Sequence, residues 1–213
     1  LGPHEKETVQ KTSRLILAVN FTPLAAPQWA KDQEAQNKFL NYGWNRTWQK
    51  ALYDFVNGKE EGALETLGYV LHLMEDMSVP DHTRNDSHPH AVGDPGSPYE
   101  DWVKKYTNTH ELDTADSLLL DGAAIPQFSN LEEAFDYVAK YSNENFFSED
   151  TIDDEKYSIP YASDKEVVID GINFYGVDKE NGQKIILFKF QNEKGVNTIN
   201  DPRILSSYFN RLS

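Results

Sequence analysis

The chain has 213 residues, with 20 Lys and Arg against 35 Asp and Glu and a formal net charge of −15 at pH 7. A field of that sign repels polyanions, which excludes a general nucleic-acid binder and predicts no stable nucleic-acid partner, while 38% hydrophobic and 12% aromatic content supports one domain with a core and excludes a disordered tail. The absence of cysteine excludes disulfides and thiolate metal sites, so any bound metal takes nitrogen and oxygen ligands, and no stretch reaches the ~20 apolar residues of a transmembrane helix.

Helical spacing or composition runs from about Glu5 to Ala18, Pro27 to Leu40, Trp44 to Val56, Glu60 to Met77, Pro98 to Thr107 and Leu131 to Asn143, joined by short turns. Trp29, Trp44, Trp48, Tyr53 and Phe55 are core residues by default, although such rings could line a pocket for a lipid or a choline-like head group. In the fourth helix Leu64, Leu67, Leu71 and Met74 recur at the spacing of a buried stripe, which predicts that His72 and Asp76 project beside a core. Pro80 cannot continue that helix beyond Val79, so the chain turns there and brings His82 back towards the helix end.

Beyond Asn143 the acidic, turn-rich FSEDTIDDEKYSIPYASD reads as a linker or exposed loop. EVVIDGINFYGV and KIILFKF are rich in β-branched and aromatic residues and flank Asn181-Gly182, which predicts a β-hairpin. NDPRILSSYFNRLS starts a helix at Asp-Pro and runs for about three turns, as though cut from a longer protein. The expected architecture is mainly α: a multi-helical array with a C-terminal β-hairpin insertion. Its parts are a helical metal-binding domain over 1–145, an acidic loop and hairpin over 146–200, and the start of a truncated helix of the same domain over 201–213.

The chemistry concentrates in LHLMEDMSVPDH. His72 and Asp76 are one helical turn apart and share a face, close enough for an imidazole nitrogen and a carboxylate oxygen to reach one divalent cation. A His–Asp pair at this spacing is also a common helical side-chain contact, but four of the six histidines, His72, His82, His88 and His90, cluster here. Glu100 and His110 are further potential ligands downstream. No nucleophile elbow, phosphate-binding loop or dinucleotide fingerprint is present.

The run LGYVLHLMEDMSVPDH, followed by YEDWV, resembles the zinc-dependent phospholipase C family, helical phosphodiesterases related to the single-strand-specific zinc nucleases. That family carries a helical His-x3-Asp, a His six residues beyond the Asp, and a later His-x3-Glu; His72, Asp76, His82 and Glu100 match these positions. The resemblance implies one to three zinc ions. His72 and Asp76 would bind one, with Asp76 bridging to a second, and His82 and Glu100 would hold a third. Gly96 stands where the family has the histidine before its Glu, and His88, with His90 as second choice, is the expected replacement. The family also uses the amino-terminal residue, an early histidine and an upstream Asp and His; His4 is the one histidine before the motif here.

These features lead to the expectation of a zinc-dependent phosphodiesterase, phospholipase C-like, acting on a phospholipid or other phosphodiester through metal-activated water. By the same resemblance the protein is secreted or held in the cell envelope. The alternatives are a zinc nuclease, a domain with a structural metal, and a metal-free interaction module derived from this family.

Overall fold

The computed structural model describes residues 24–40, 45–84, 86, 96–109, 126–157, 168–177, 184–190 and 197–212. The expected helix over 5–18, the hairpin turn at Asn181-Gly182, Trp44, and the histidines at 4, 88, 90 and 110 lie outside the described residues.

Eight α-helices occur among the described residues: α1 (Ala26–Trp29), α2 (Gln33–Leu40), α3 (Trp48–Val56), α4 (Glu60–Asp76), α5 (Pro80–Thr83), α6 (Pro98–Thr107), α7 (Leu131–Asn145) and α8 (Pro202–Leu212). Four strands, β1 (Val168–Asp170), β2 (Asn173–Val177), β3 (Lys184–Phe190) and β4 (Asn197–Thr198), form one antiparallel sheet in sequential order. The protein is thus mainly α with a small antiparallel sheet.

Helix starts follow local chemistry. Thr47, Ser97 and Asn130 accept hydrogen bonds from the backbone N–H groups of Lys50, Glu100 and Glu133, satisfying donors that no helical carbonyl can reach. The single helix expected over 27–40 is two, because the Asp32 carboxylate accepts the Ala35 N–H at 2.9 Å and caps a new start. The hairpin expected from the sequence is β2 with β3, widened by β1 and β4. The run EVVIDGINFYGV divides at Gly171, whose φ of 61° suits glycine, and Asp170 pairs with Asn173 across the tight turn.

Two apolar clusters result. In the first, Ala30, Val70 and Phe135 bring together α1, α4 and α7. In the second, Ile185, Leu187 and Phe188 of β3 pack with Ile204, Leu205, Tyr208 and Phe209 of α8, with Tyr99 of α6, and with Phe146 and Phe147 after α7. Phe174 pairs with Phe188 and Tyr175 with Ile186, so the register steps over Leu187; this bulge allows the consecutive Leu187 and Phe188 both to be buried. Its carbonyl is not wasted. The Tyr208 hydroxyl donates to Leu187 O at 2.6 Å and accepts from Phe147 N at 3.2 Å.

Arg84 is 1% exposed, one residue past α5. Its Nη1 donates to Asn143 O at 2.6 Å and its Nε to Thr151 Oγ1 at 2.9 Å, while the guanidinium carbon lies 5.0 Å from the ring centroids of both Phe147 and Tyr157. Burial lowers its pKa to about 10, with Tyr208, Tyr157 and Asp86 opposing, and it stays a cation at neutral pH.

Tyr208→Phe leaves the Leu187 carbonyl and the Phe147 N–H buried without that partner, and should cost about 1–3 kcal/mol in a urea unfolding titration. Asp201, just before α8, supplies a second test. Burial alone would raise its carboxyl, but hydrogen bonds from Lys189 and from Arg203 outweigh this and hold it below the usual carboxylate range. A depressed folded-state value means stability that is present above the unfolded pKa of about 3.9 and is lost as pH falls through the folded value. Asp201→Asn should therefore lower stability at pH 7, and the gap from the unaltered protein should narrow from about pH 4 downwards, as read by thermal unfolding at each pH.

Candidate metal centre

The site residues sit where α4 ends and the chain reverses. Beyond Asp76 the chain leaves the helix: Ser78 Oγ donates to Glu75 O at 2.7 Å, and Val79 is extended with ψ of 120°, as a residue before proline prefers. Pro80 occupies the first turn of α5, where its missing N–H costs nothing. The expected turn beyond Val79 is present.

Polar contacts button this turn onto α7. Ser142 Oγ donates to Ser78 O at 2.9 Å and lies 3.2 Å from Thr83 Oγ1, Asn143 Nδ2 donates to Thr83 O at 2.6 Å, and Arg84 follows. Ser142 and Thr83 are fully buried. The backbone that carries His82 is therefore fixed from beneath.

His82 Nε2 lies 3.4 Å from Glu100 Oε1, with the histidine side chain 14% and the glutamate 42% exposed. Ser97 and Pro98 set the start of α6 and place Glu100 in its first turn. The residues that precede this pair in the chain, Asp81 at 1% and Tyr99 at 4% exposed, are buried. Burial first, and the Asp81 carboxylate second, push the Tyr99 hydroxyl well above the usual tyrosine range, so it remains a neutral phenol. Adjacent residues of α5 and α6 thus form two layers, Asp81 with Tyr99 inside and His82 with Glu100 at the surface.

His72 Nε2 and Asp76 Oδ2 are 3.8 Å apart, with the side chains 68% and 28% exposed. The expected stripe of Leu64, Leu67, Leu71 and Met74 is buried only in part: Met74 packs against the Val70 cluster and Leu67 is half-buried. Leu64 is 68% and Leu71 45% exposed, whereas Ala63, Thr66 and Val70 are buried. Packing against Ala30 and Phe135 selects the Val70 side of the helix, which leaves His72 pointing to solvent. Tyr53 and Phe55 differ from expectation in the same way, at 59% and 69% exposed, while Trp48 packs beside the Val70 cluster.

Donor spacing bears on a cation. Two ligand atoms on a tetrahedral zinc, each about 2.0–2.2 Å from the metal, lie about 3.3 Å from one another. The His82–Glu100 separation matches that spacing and is long for a charge-assisted hydrogen bond, which is typically about 2.7–2.9 Å; the His72–Asp76 separation needs a small rotamer adjustment. Nitrogen and carboxylate oxygen are a donor set zinc accepts. Among the described residues the two pairs stay separate, and no three His, Asp or Glu side chains converge on one point. The expected additional ligand, His88, lies outside the described residues.

Comparison of the chain with models of known protein families, with characterised proteins and with solved structures finds no match. Asp81, Tyr99 and Arg84 are the site-building residues that sequence reasoning missed. Asp81 had one available signal, its place between Pro80 and His82 in the motif, where an acidic residue reads as an ordinary first-turn helix residue. Without metal, a partly exposed His–Glu pair contributes little to folding. A double-mutant cycle on His82→Ala and Glu100→Ala in chelator should give a coupling of about 0–1 kcal/mol in chemical denaturation.

Proposed function

We propose that the α4–α5 turn and the start of α6 hold zinc, and that the protein hydrolyses phosphodiester bonds as a phospholipase C-like enzyme. The observation that carries this reading is the His82–Glu100 pair. Two matching motif residues, on different helices, meet at 3.4 Å, the spacing of ligands on one zinc. His72 and Asp76 supply a second nitrogen–oxygen pair one helix earlier, and His88 is the proposed further ligand.

The chain's own residues have separable tasks. His82 and Glu100 bind, one from each helix, so that a metal there would fasten α5 to α6. The buried Asp81 and Tyr99 that precede them, with the Ser142, Asn143 and Arg84 contacts, keep the two donors in register and reduce the reorganisation that binding requires. Asp76, half-buried at the helix end, and the exposed His72 would bind from one face of α4. Zinc, when bound, supplies a Lewis acid for the non-bridging phosphate oxygens and a water activated near neutral pH. It also reverses the local sign of a chain whose net charge is −15, a condition for admitting an anionic phosphodiester.

The test is zinc content by elemental analysis together with hydrolysis of bis(p-nitrophenyl) phosphate, phosphatidylcholine and single-stranded DNA. Zinc-loaded protein should cleave the first two, and His82→Ala should lower the rate at least about 10-fold by analogy with losses on disturbing a metal's surroundings. Preferential cleavage of DNA would reassign the substrate to nucleic acid. Stoichiometric zinc without turnover would mark the metal as structural, and no zinc after reconstitution would leave a metal-free interaction domain.

A further inference from the structure

A cleft of about 560 Å³ opens where the link between α1 and α2, the start of α3 and the start of α7 meet, a size within the range of small-ligand sites. Trp48 and Phe128 line it together with Lys31, Gln49, Ser129 and Asn130. Its frame is fixed. Trp48 N donates to Ala30 O at 2.8 Å, and the Trp48 side chain packs against the cluster of Ala30, Val70 and Phe135. An ion pair of Lys31 with Glu132 ties the α1–α2 link to α7. Phe128 is 38% exposed, with its ring centroid 5.3 Å from that of Tyr137.

We propose that this cleft binds a neutral saccharide, a pyranose whose C–H face lies on the Trp48 and Phe128 rings and whose hydroxyls bond to the polar groups around them. Hydrogen bonding supplies the first ground. Asn130 Oδ1 is used in accepting Glu133 N at 2.9 Å, but Asn130 Nδ2, the Ser129 hydroxyl and the Gln49 amide have no hydrogen-bond partner among the described residues. An amide presents two donors and an acceptor, and a hydroxyl presents one of each, so these groups match sugar hydroxyls in either direction. The rings add apolar area that gains by leaving water. A ligand apolar on one face and rich in hydroxyls at its edge fits both requirements.

Charge is the second ground, because it disfavours both kinds of ion. An anion would meet Glu132 and Glu133 in the first turn of α7, in a chain whose net charge is −15. Two backbone donors that could have held it, Ser129 N and Glu133 N, are already taken, the first by Glu133 Oε2 at 2.7 Å and the second by Asn130. A cation fares no better. Glu132 is engaged by Lys31, Glu133 by Ser129 N, and no three His, Asp or Glu side chains converge among the described residues. The neutral donors and the two rings are what remain for a ligand to use. This inference does not depend on zinc or on catalysis.

Saturation-transfer NMR on the full chain, with the methyl glycosides of glucose, galactose, mannose and N-acetylglucosamine and with maltose and cellobiose, tests the proposal. At least one sugar should receive saturation. Its Kd should rise about five-fold in Gln49→Ala and about ten-fold in Phe128→Ala, losses of the size of one hydrogen bond and one ring contact. Both side chains are exposed, so circular dichroism of the variants should match that of the unaltered protein. Methyl glucuronide should bind at least about ten-fold more weakly than methyl glucoside, because its carboxylate meets the acidic first turn of α7. Tighter binding of a disaccharide supports the proposal and assigns a polysaccharide as the source, while equal binding supports it and assigns a free sugar. Saturation reaching none of the sugars overturns it. So does binding that either variant leaves unchanged, or displacement of the bound sugar by inorganic phosphate or choline, which indicates an ion site.

Discussion

The buried guanidinium of Arg84 is the constraint on which the rest of the structure depends. A cation 1% exposed is tolerable only where its donors are matched, and here the Asn143 carbonyl, the Thr151 hydroxyl and the faces of Phe147 and Tyr157 do so. Those partners come from the end of α7 and the short 3₁₀ turn Glu149–Thr151 beyond it. One side chain therefore fixes the exit of α5, the C-terminus of α7 and the approach to the sheet. Removing it would leave several buried acceptors unmatched at once, a more serious defect than loss of a surface ion pair.

The candidate centre inherits its geometry from that anchor. His82 lies two residues before Arg84, and the intervening Thr83 is itself held through its carbonyl and its hydroxyl. From the other side Tyr99 belongs to the core that contains β3 and α8, so Glu100 is positioned by the same cluster that closes the sheet. The pair is thus supported on both flanks by residues of one cluster, Phe147 under Arg84 and Tyr99 beside Glu100. This support explains how donors that are themselves at the surface, and of little value to folding, can be held at a defined separation. The sheet contributes through Tyr208, which ties the bulge carbonyl of Leu187 to the Phe147 N–H beside Arg84's stacking partner.

Local signals in the sequence were enough for α3, α4, α6 and α7 and for where α4 stops, though not for the break between α1 and α2. Pro80, Pro98 and the caps at Ser97 and Asn130 act within a few residues, and the structure follows them. Periodicity was less informative about which face is buried. The Leu64–Leu71 stripe and the Val70 stripe are both admissible on α4, and only the arrival of Phe135 and Ala30 from distant positions decides between them. The same holds for Phe55, whose helical position does not reveal that its side is left open. Of the ligand candidates, the pairing of His82 with Glu100 was legible from the motif, whereas the Asp81–Tyr99 pair and Arg84 were not, because their partners lie far along the chain. The extra strands β1 and β4 are two or three residues long, too short for an alternating pattern to register.

The central claim is that His82 and Glu100 share one zinc. Anomalous X-ray diffraction from zinc-soaked crystals, recorded on both sides of the zinc absorption edge, tests it most directly. The account predicts a zinc peak about 2.0–2.2 Å from His82 Nε2 and from a Glu100 carboxylate oxygen. A peak elsewhere, or none between α5 and α6 at saturating zinc, would contradict it.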